Sequence, residues 1–294
     1  MVQVIPGVYV AVVTPMDENG EVAEEVFERL CVHLIEQGVT GLAILGSTGE
    51  GVSLSDGSRR TVQRITRGVA ENHVRIITCV GSASVGTVLR QIDEAAQYGA
   101  DAVLVPPPFY YPLTDRELVQ FYGTVAGRSS LPLLIYNIPA LTKISVSPVS
   151  TTELAQHPSV IGMKDSSRNM EYFMQVATTA ETDFLLFTGS DDLLLPSLTC
   201  GGAGAICASA NVAPQFAQRL VSAYAQGDLE VARRWQSSIV RLVRAARAQG
   251  TPKAWKAMLE LQGFAPMDMA PPFLPLDAKG RAQLQGILEE LNVL

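Results

Sequence analysis

The chain has 294 residues, 47% of them hydrophobic, and carries a formal net charge of −7. An acidic balance without a basic run argues against a surface built for nucleic acid or for an anionic membrane. No uninterrupted apolar run reaches the roughly 18–20 residues of a membrane span, and the N-terminus MVQVIPGVYVAVVTP has neither a basic n-region nor a long apolar h-region, so a cytoplasmic location is expected.

In chain order, short β-rich apolar runs alternate with amphipathic stretches. The first strand is expected near 8–14 (VYVAVVT), followed by a helix over Glu24–Glu36 and a strand near 40–45 (TGLAIL). Next come a helix over Ser55–Glu71, a strand near 75–80 (RIITCV), a helix over Ser84–Gln97, a strand near 101–105 (DAVLV) and a helix over Asp115–Arg128. Four further strands are expected near 132–136 (PLLIY), 159–163 (SVIGM), 184–187 (FLLF) and 203–207 (AGAIC), the eighth unit ending near Tyr224. The runs are nearly continuous in Val, Ile, Leu and Ala, as parallel strands covered on both faces should be.

Eight βα units of this size predict an α/β fold, a closed (β/α)8 TIM barrel, over residues 1–224. A doubly wound open sheet is the alternative, but no GxGxxG follows the first strand. Residues 225–294 read as a C-terminal helical extension: Asp228–Gln249, Pro252–Gln262 with Thr251 as N-cap, and Asp277–Leu291. The cysteines Cys31, Cys79, Cys200 and Cys207 lie in apolar or small-residue segments without CxxC spacing, and read as small buried thiols.

Barrel chemistry sits at the C-terminal ends of the strands. Those ends carry Thr14, then Gly46-Ser47-Thr48-Gly49-Glu50, then Pro106 to Tyr111, Tyr136-Asn137, Lys164-Asp165-Ser166, Gly189-Ser190-Asp191-Asp192, and finally Ser209 and Asn211. Lys164 is the most informative, because it directly follows Val160-Ile161-Gly162-Met163. Desolvation at the mouth of a barrel favours the uncharged, nucleophilic form of an amine, which imine formation with a carbonyl substrate requires. A structural lysine paired with Asp165 is the alternative.

Tyr136 stands at the end of the preceding strand, about 5 Å away across the sheet, where a phenol can pass protons; a core tyrosine bonded to a backbone carbonyl is the other reading. The Gly46–Glu50 turn offers hydroxyls and amides to a carboxylate, although an ordinary strand–helix connection would look the same. A metal-dependent aldolase is disfavoured: His33 falls within a helix, and His73 and His157 precede strands at the opposite face. Asp191 and Asp192 could hold Mg²⁺ through waters, or meet substrate hydroxyls. No organic cofactor or metal is called for.

GSTGE (46–50), PFYYP (108–112), YNIPALT (136–142), GMKDS (162–166) and the GSDD…GGAGAICASAN tract (189–211) follow one another in order. With these motifs the chain resembles the dihydrodipicolinate synthase/N-acetylneuraminate lyase superfamily of class I, pyruvate-dependent aldolases, over essentially its whole length. The resemblance implies that Lys164 forms the Schiff base, that Tyr136 shuttles protons and that Ser47 and Thr48 bind the pyruvate carboxylate. It implies that Tyr110 completes a hydrogen-bonded relay, in some members within the neighbouring subunit's site, and that the Ile206 carbonyl faces the oxo acid. Gly189, Ser166, Asp191 and Asp192 complete the expected substrate-binding set. The partners implied are a small 2-oxo acid, an aldehyde and further copies of the chain in a homotetramer, a dimer of dimers.

Two departures bear on the substrate. Dihydrodipicolinate synthases place an arginine two residues after the YNxP proline, where it binds the carboxylate of the aldehyde; here Leu141 stands there, and no leucine replaces a bidentate guanidinium. Ser47 also replaces the first threonine of GTTGE. These features resemble the sialic-acid lyase and 2-keto-3-deoxy-sugar-acid aldolase branches, so a sugar acid or sialate-type substrate is the first expectation. Ala208, where a hydroxyl residue helps bind the polyol of sialate, points to a smaller acid. The alternatives are dihydrodipicolinate synthase chemistry with aspartate semialdehyde, a 4-hydroxy-2-oxoglutarate aldolase, or a dehydratase on the same scaffold. Arg168 could supply a cation for a distal carboxylate.

Overall fold

The computed structural model describes residues 4–71, 73–179 and 183–294. Eight strands, β1 (Gly7–Ala11), β2 (Gly41–Ile44), β3 (Arg75–Cys79), β4 (Ala102–Val105), β5 (Leu133–Asn137), β6 (Val160–Asp165), β7 (Leu185–Thr188) and β8 (Gly204–Cys207), pair in sequence order. Every pairing is parallel, and β8 returns to β1, so the sheet closes. The protein is a TIM barrel, and closure removes the edge strands that an open sheet would have to protect.

Around it run α1 (Glu24–Glu36), α2 (Asp56–Ala70), α3 (Val85–Gln97), α4 (Asp115–Ala126), the short α5 (Pro139–Thr142), α6 (Pro148–Ala155), α7 (Met170–Thr179), α8 (Leu194–Thr199) and α9 (Pro214–Ala225). Helix starts follow side-chain chemistry. Ser55, Ser84 and Ser147 accept from the third backbone N–H of α2, α3 and α6, and Thr114 with Glu117 forms a capping box on α4. The C-terminal extension is α10 (Leu229–Gln249), α11 (Lys253–Leu261) and α12 (Ala278–Glu290), with Asp228 and Asp277 capping the first and last. One cap differs from expectation: the N-cap of α11 is Pro252, with no side-chain bond, rather than Thr251.

Strand residues face two ways. Tyr9, Ala11, Ala43, Ile77, Cys79, Ala102, Leu104, Leu134, Tyr136, Phe187 and Ile206 form one buried cluster inside the barrel. Their neighbours, such as Val8, Val10, Leu42, Ile44, Ile76, Val103, Leu133, Ile135, Met163 and Leu186, belong to the second cluster that packs against the helices. Both faces are dry, which is why the alternation of period two is hidden in near-continuous apolar runs. Low in the barrel, Tyr9 packs edge-on against Phe187 at 5.5 Å, and burial pushes its phenol up to about 12.

The extension also sends side chains to the loops that follow the strands. From α10, Gln236 accepts from Leu195 N at 2.7 Å and donates to the Asp191 carbonyl at 3.1 Å. From α11, Lys256 reaches Glu50 in the loop after β2 and donates to the Asp268 carbonyl at 2.6 Å. Among the described residues no helix is long and apolar enough to cross a membrane.

Candidate active site

Lys164 lies within β6, one residue before its end, in register with Tyr136 of β5 on one side and Phe187 of β7 on the other. It is 5% exposed, and its Nζ sits 4.5 Å from the centre of the Tyr136 ring. The Tyr136 Oη is 3.2 Å from the Ser47 Oγ, so phenol and hydroxyl share a hydrogen bond across the mouth. An amine, a phenol and a hydroxyl from β6, β5 and the loop after β2 therefore converge on one space.

The alternative partner for the lysine is occupied elsewhere. Asp165 accepts from Asn137 Nδ2 at 2.8 Å and from Ser167 through both its N–H and its Oγ, at 3.1 and 2.9 Å. Burial raises its carboxyl, and these three donors oppose the rise. Asp165 is an anchor for the strand ends, with Asn137 also accepting from Val146 N at 3.1 Å.

The loop after β2 is held from several directions. Gly51 N and Glu50 N donate back to the Gly46 and Ser47 carbonyls, and Thr14 donates to the Gly49 carbonyl at 2.7 Å. Leu45 and Glu50 adopt φ of 60° and 55°, a left-handed conformation that costs energy in any residue but glycine. Buried Arg59 donates to the Gly51 and Cys79 carbonyls at 2.7 and 3.3 Å, tying this loop to the end of β3. Ser47 and Thr48 are left half-buried at the rim.

Gly189 acts through its lack of a side chain. A Cβ there would lie 2.6 Å from the Lys164 Cε and 2.0 Å from the Ser166 Oγ, so the lysine stem occupies the space that any other residue would fill. Gly189→Ala is expected to displace the amine and to lower kcat by about 100-fold, since misplacement by about an ångström costs that much. A pyruvate concentration series on a variant that melts like wild type checks this, and an unaltered kcat would refute it.

The two aspartates after β7 are engaged. Asp191 is buried and accepts from Ser209 N at 2.6 Å; burial raises its carboxyl, opposed by the Ser209 bonds and by the charge of Lys164. Asp192 receives both arms of Arg247 from α10, at 2.5 and 2.9 Å, and Arg168 at 3.1 Å. Burial pushes the Asp192 carboxyl up, but the hydrogen bonds and charge of Arg247, with the charge of Arg168, hold it below the usual range.

Ile206 is buried inside the barrel beside Tyr9, and Ser166 sits half-buried against Gly189. Tyr110 stands apart: it is 77% exposed and packs edge-on against Tyr111 at 5.0 Å, and among the described residues no hydrogen bond joins it to Tyr136 or Ser47. Sequence reasoning missed Arg247, Lys256, Arg59 and Gln236, because nothing local marks a helix residue that reaches a strand end far away in the chain.

Comparison with known proteins agrees with this architecture. The model of the dihydrodipicolinate synthetase family matches residues 5–291. The chain belongs to that family. Members are pyruvate-dependent class I lyases, and the chain is an enzyme of that class. It is 34% identical over 288 residues to the 4-hydroxy-tetrahydrodipicolinate synthase of Acidiphilium cryptum, covering 98% of this chain and 99% of that one. It is 32% identical over 286 residues to the enzyme of the same name from an Exiguobacterium species, covering 97% and 98%.

Among solved structures, the dihydrodipicolinate synthase of Thermotoga maritima superposes with a TM-score of 0.96 at 30% identity, covering 99% of each chain. YagE of Escherichia coli K12, a prophage protein belonging to the dihydrodipicolinic acid synthase family and solved with pyruvate, gives 0.94 at 29% identity, covering 98% and 99%. The curated relatives carry the synthase name, so the expectation of a sugar-acid or sialate-type substrate finds no support among them and the synthase alternative is favoured.

Proposed function

We propose that this protein joins pyruvate to a short aldehyde through a Schiff base on Lys164, with aspartate semialdehyde the first candidate partner, as in dihydrodipicolinate synthases. The observation that carries the reading is the convergence of Lys164, Tyr136 and Ser47 in one buried mouth. The unprotonated amine of Lys164 attacks C2 of pyruvate. Tyr136 passes protons through Ser47 while the carbinolamine loses water, leaving a protonated imine. That imine is an electron sink: the C3 proton leaves, an enamine forms, and C3 attacks the aldehyde carbon. Ser47 and Thr48 hold the carboxylate, so binding energy goes into orientation.

The chain is proposed to work as a cytoplasmic homotetramer in which Tyr110 meets a neighbouring subunit's site, in keeping with its exposure and with the lack, among the described residues, of a hydrogen bond to Tyr136 or Ser47. Leu141, 61% exposed on α5, leaves the position of the synthases' arginine without a cation, which favours as a second reading an aldehyde partner other than aspartate semialdehyde.

Borohydride reduction of the protein with pyruvate, then peptide mapping, tests the intermediate, and mass spectrometry of the products with each aldehyde tests the partner. A pyruvate adduct on Lys164 is expected; an unmodified Lys164 would overturn the proposal. Tyr136→Phe is expected to lower kcat by about 10²–10⁴-fold, the range for a proton-transfer group, and an undiminished rate would remove Tyr136 from the relay.

A further inference from the structure

We propose that Arg168 binds the carboxylate of the aldehyde partner, which makes the second substrate a carboxylate-bearing aldehyde; this goes one step beyond the pyruvate-imine reading and rests on it. Arg168 lies four residues beyond Lys164, where the chain leaves β6 at the catalytic end of the barrel. The rim between β6 and β7 is directly beside the amine, because Lys164 Cε and Ser166 Oγ both crowd Gly189. Arg168 spans that rim, from the β6 loop to Asp192 in the β7 loop at 3.1 Å.

The charges there do not cancel. Asp192 already receives two hydrogen bonds from Arg247, so Arg168 is a second cation on one carboxylate. Asp165 is committed to Asn137 and Ser167, and Asp191 to Ser209. A guanidinium has five N–H donors. Arg168 uses Nη2 on Asp192, and its side chain is 55% exposed, so the rest of its fork is open to solvent.

Its backbone φ is 63°, a conformation costly for a residue with a Cβ, and strain of this kind collects at ligand sites. Lys143, just after α5, folds back onto the Ala140 carbonyl at 2.8 Å.

Substrate direction fits. β2 and β6 are four strands apart in a closed barrel of eight, hence opposite one another. A pyruvate whose carboxylate is pinned on the β2 side and whose C2 is bound to Lys164 lies across the mouth. An aldehyde joined at C3 then runs along the rim, where a terminal carboxylate can take the two-pronged hydrogen bond that a guanidinium offers.

The test compares wild type, Arg168→Met and Arg168→Lys with two carboxylate-bearing aldehydes, aspartate semialdehyde and glyoxylate, and two uncharged ones, propanal and acetaldehyde. Each protein is also trapped with pyruvate and borohydride and mapped at Lys164. Wild type is expected to prefer the charged aldehydes. Arg168→Met is expected to lower the charged-to-uncharged ratio of kcat/KM by about 10–100-fold, the scale of a lost hydrogen bond between charged groups, mainly through the aldehyde KM. Arg168→Lys recovers part of the ratio, because it keeps the charge and loses the fork.

An unaltered ratio in Arg168→Met, or an equal loss with all four aldehydes, overturns the inference. So does a wild type that traps pyruvate but takes uncharged aldehydes as readily, and that result leaves the imine reading standing. A wild type that traps no pyruvate overturns the imine reading, and the role of Arg168 falls with it.

Discussion

Lys164→Ala is expected to remove turnover, by on the order of 10⁴–10⁶-fold, the scale on which enzymes lose rate when their nucleophile is deleted. No other amine stands in the mouth to replace it: among the described residues the other buried lysine, Lys256, is committed to Glu50 and to the Asp268 carbonyl. The fold should survive, because the strand-end anchor is Asp165 with Asn137 and Ser167, and Lys164 takes no part in it. The decisive comparison is with Lys164→Arg, which puts a guanidinium beside the Tyr136 ring but offers no amine for an imine. Both variants should fail in steady-state assays and show no borohydride adduct, while melting near wild type. Appreciable turnover in either would exclude the covalent mechanism.

The second large effect is expected behind the loop that carries Ser47 and Thr48. Glu50 and Lys256 form an ion pair with side chains 2% and 1% exposed, and Glu50 also accepts from Ala270 N at 2.9 Å. Burial lowers the ammonium of Lys256, and the neighbouring Glu50 charge opposes that shift. Lys256→Met leaves a carboxylate in a dry site without its cation, which costs about 3–5 kcal/mol. Adding Glu50→Gln removes the stranded charge and should return part of that loss, as expected when two residues in contact are coupled. Urea unfolding of the two single variants and the double variant measures the cycle. A single variant as stable as wild type, or a double that simply sums the singles, would show that the pair is not coupled. Because Glu50 closes the turn bearing Ser47 and Thr48, Lys256→Met should also raise KM for pyruvate.

Much of this was legible locally. Helix α1 falls on the expected Glu24–Glu36, and all eight strands fall within the expected apolar runs or within two residues of them. Lys164 stood out because a cation at the end of a dry strand is costly, and Tyr136 because it ends the preceding strand. Their pairing in one register follows from the barrel order alone.

What local pattern could not show was which charges were already spent. Asp191 and Asp192 look like free acids at a strand end, and in that form they suggested a polyol; Arg247 lies 55 residues away from Asp192 in the chain. Glu50 looked like the last residue of a turn, and its partners Lys256 and Ala270 are supplied by the C-terminal extension. Tyr110 is a motif residue whose ring, among the described residues, packs against Tyr111.

By itself, then, the sequence determined the kind and order of the elements, the closed barrel they build and the strand ends where chemistry belongs. Apolar periodicity, caps and turns act over a few residues and are written in consecutive positions. Only the tertiary structure decided which acids are already paired and which glycine must yield space to the lysine. Those outcomes depend on distances and dielectric between groups far apart in the chain, and charge compensation over such separations has no consecutive pattern to be read.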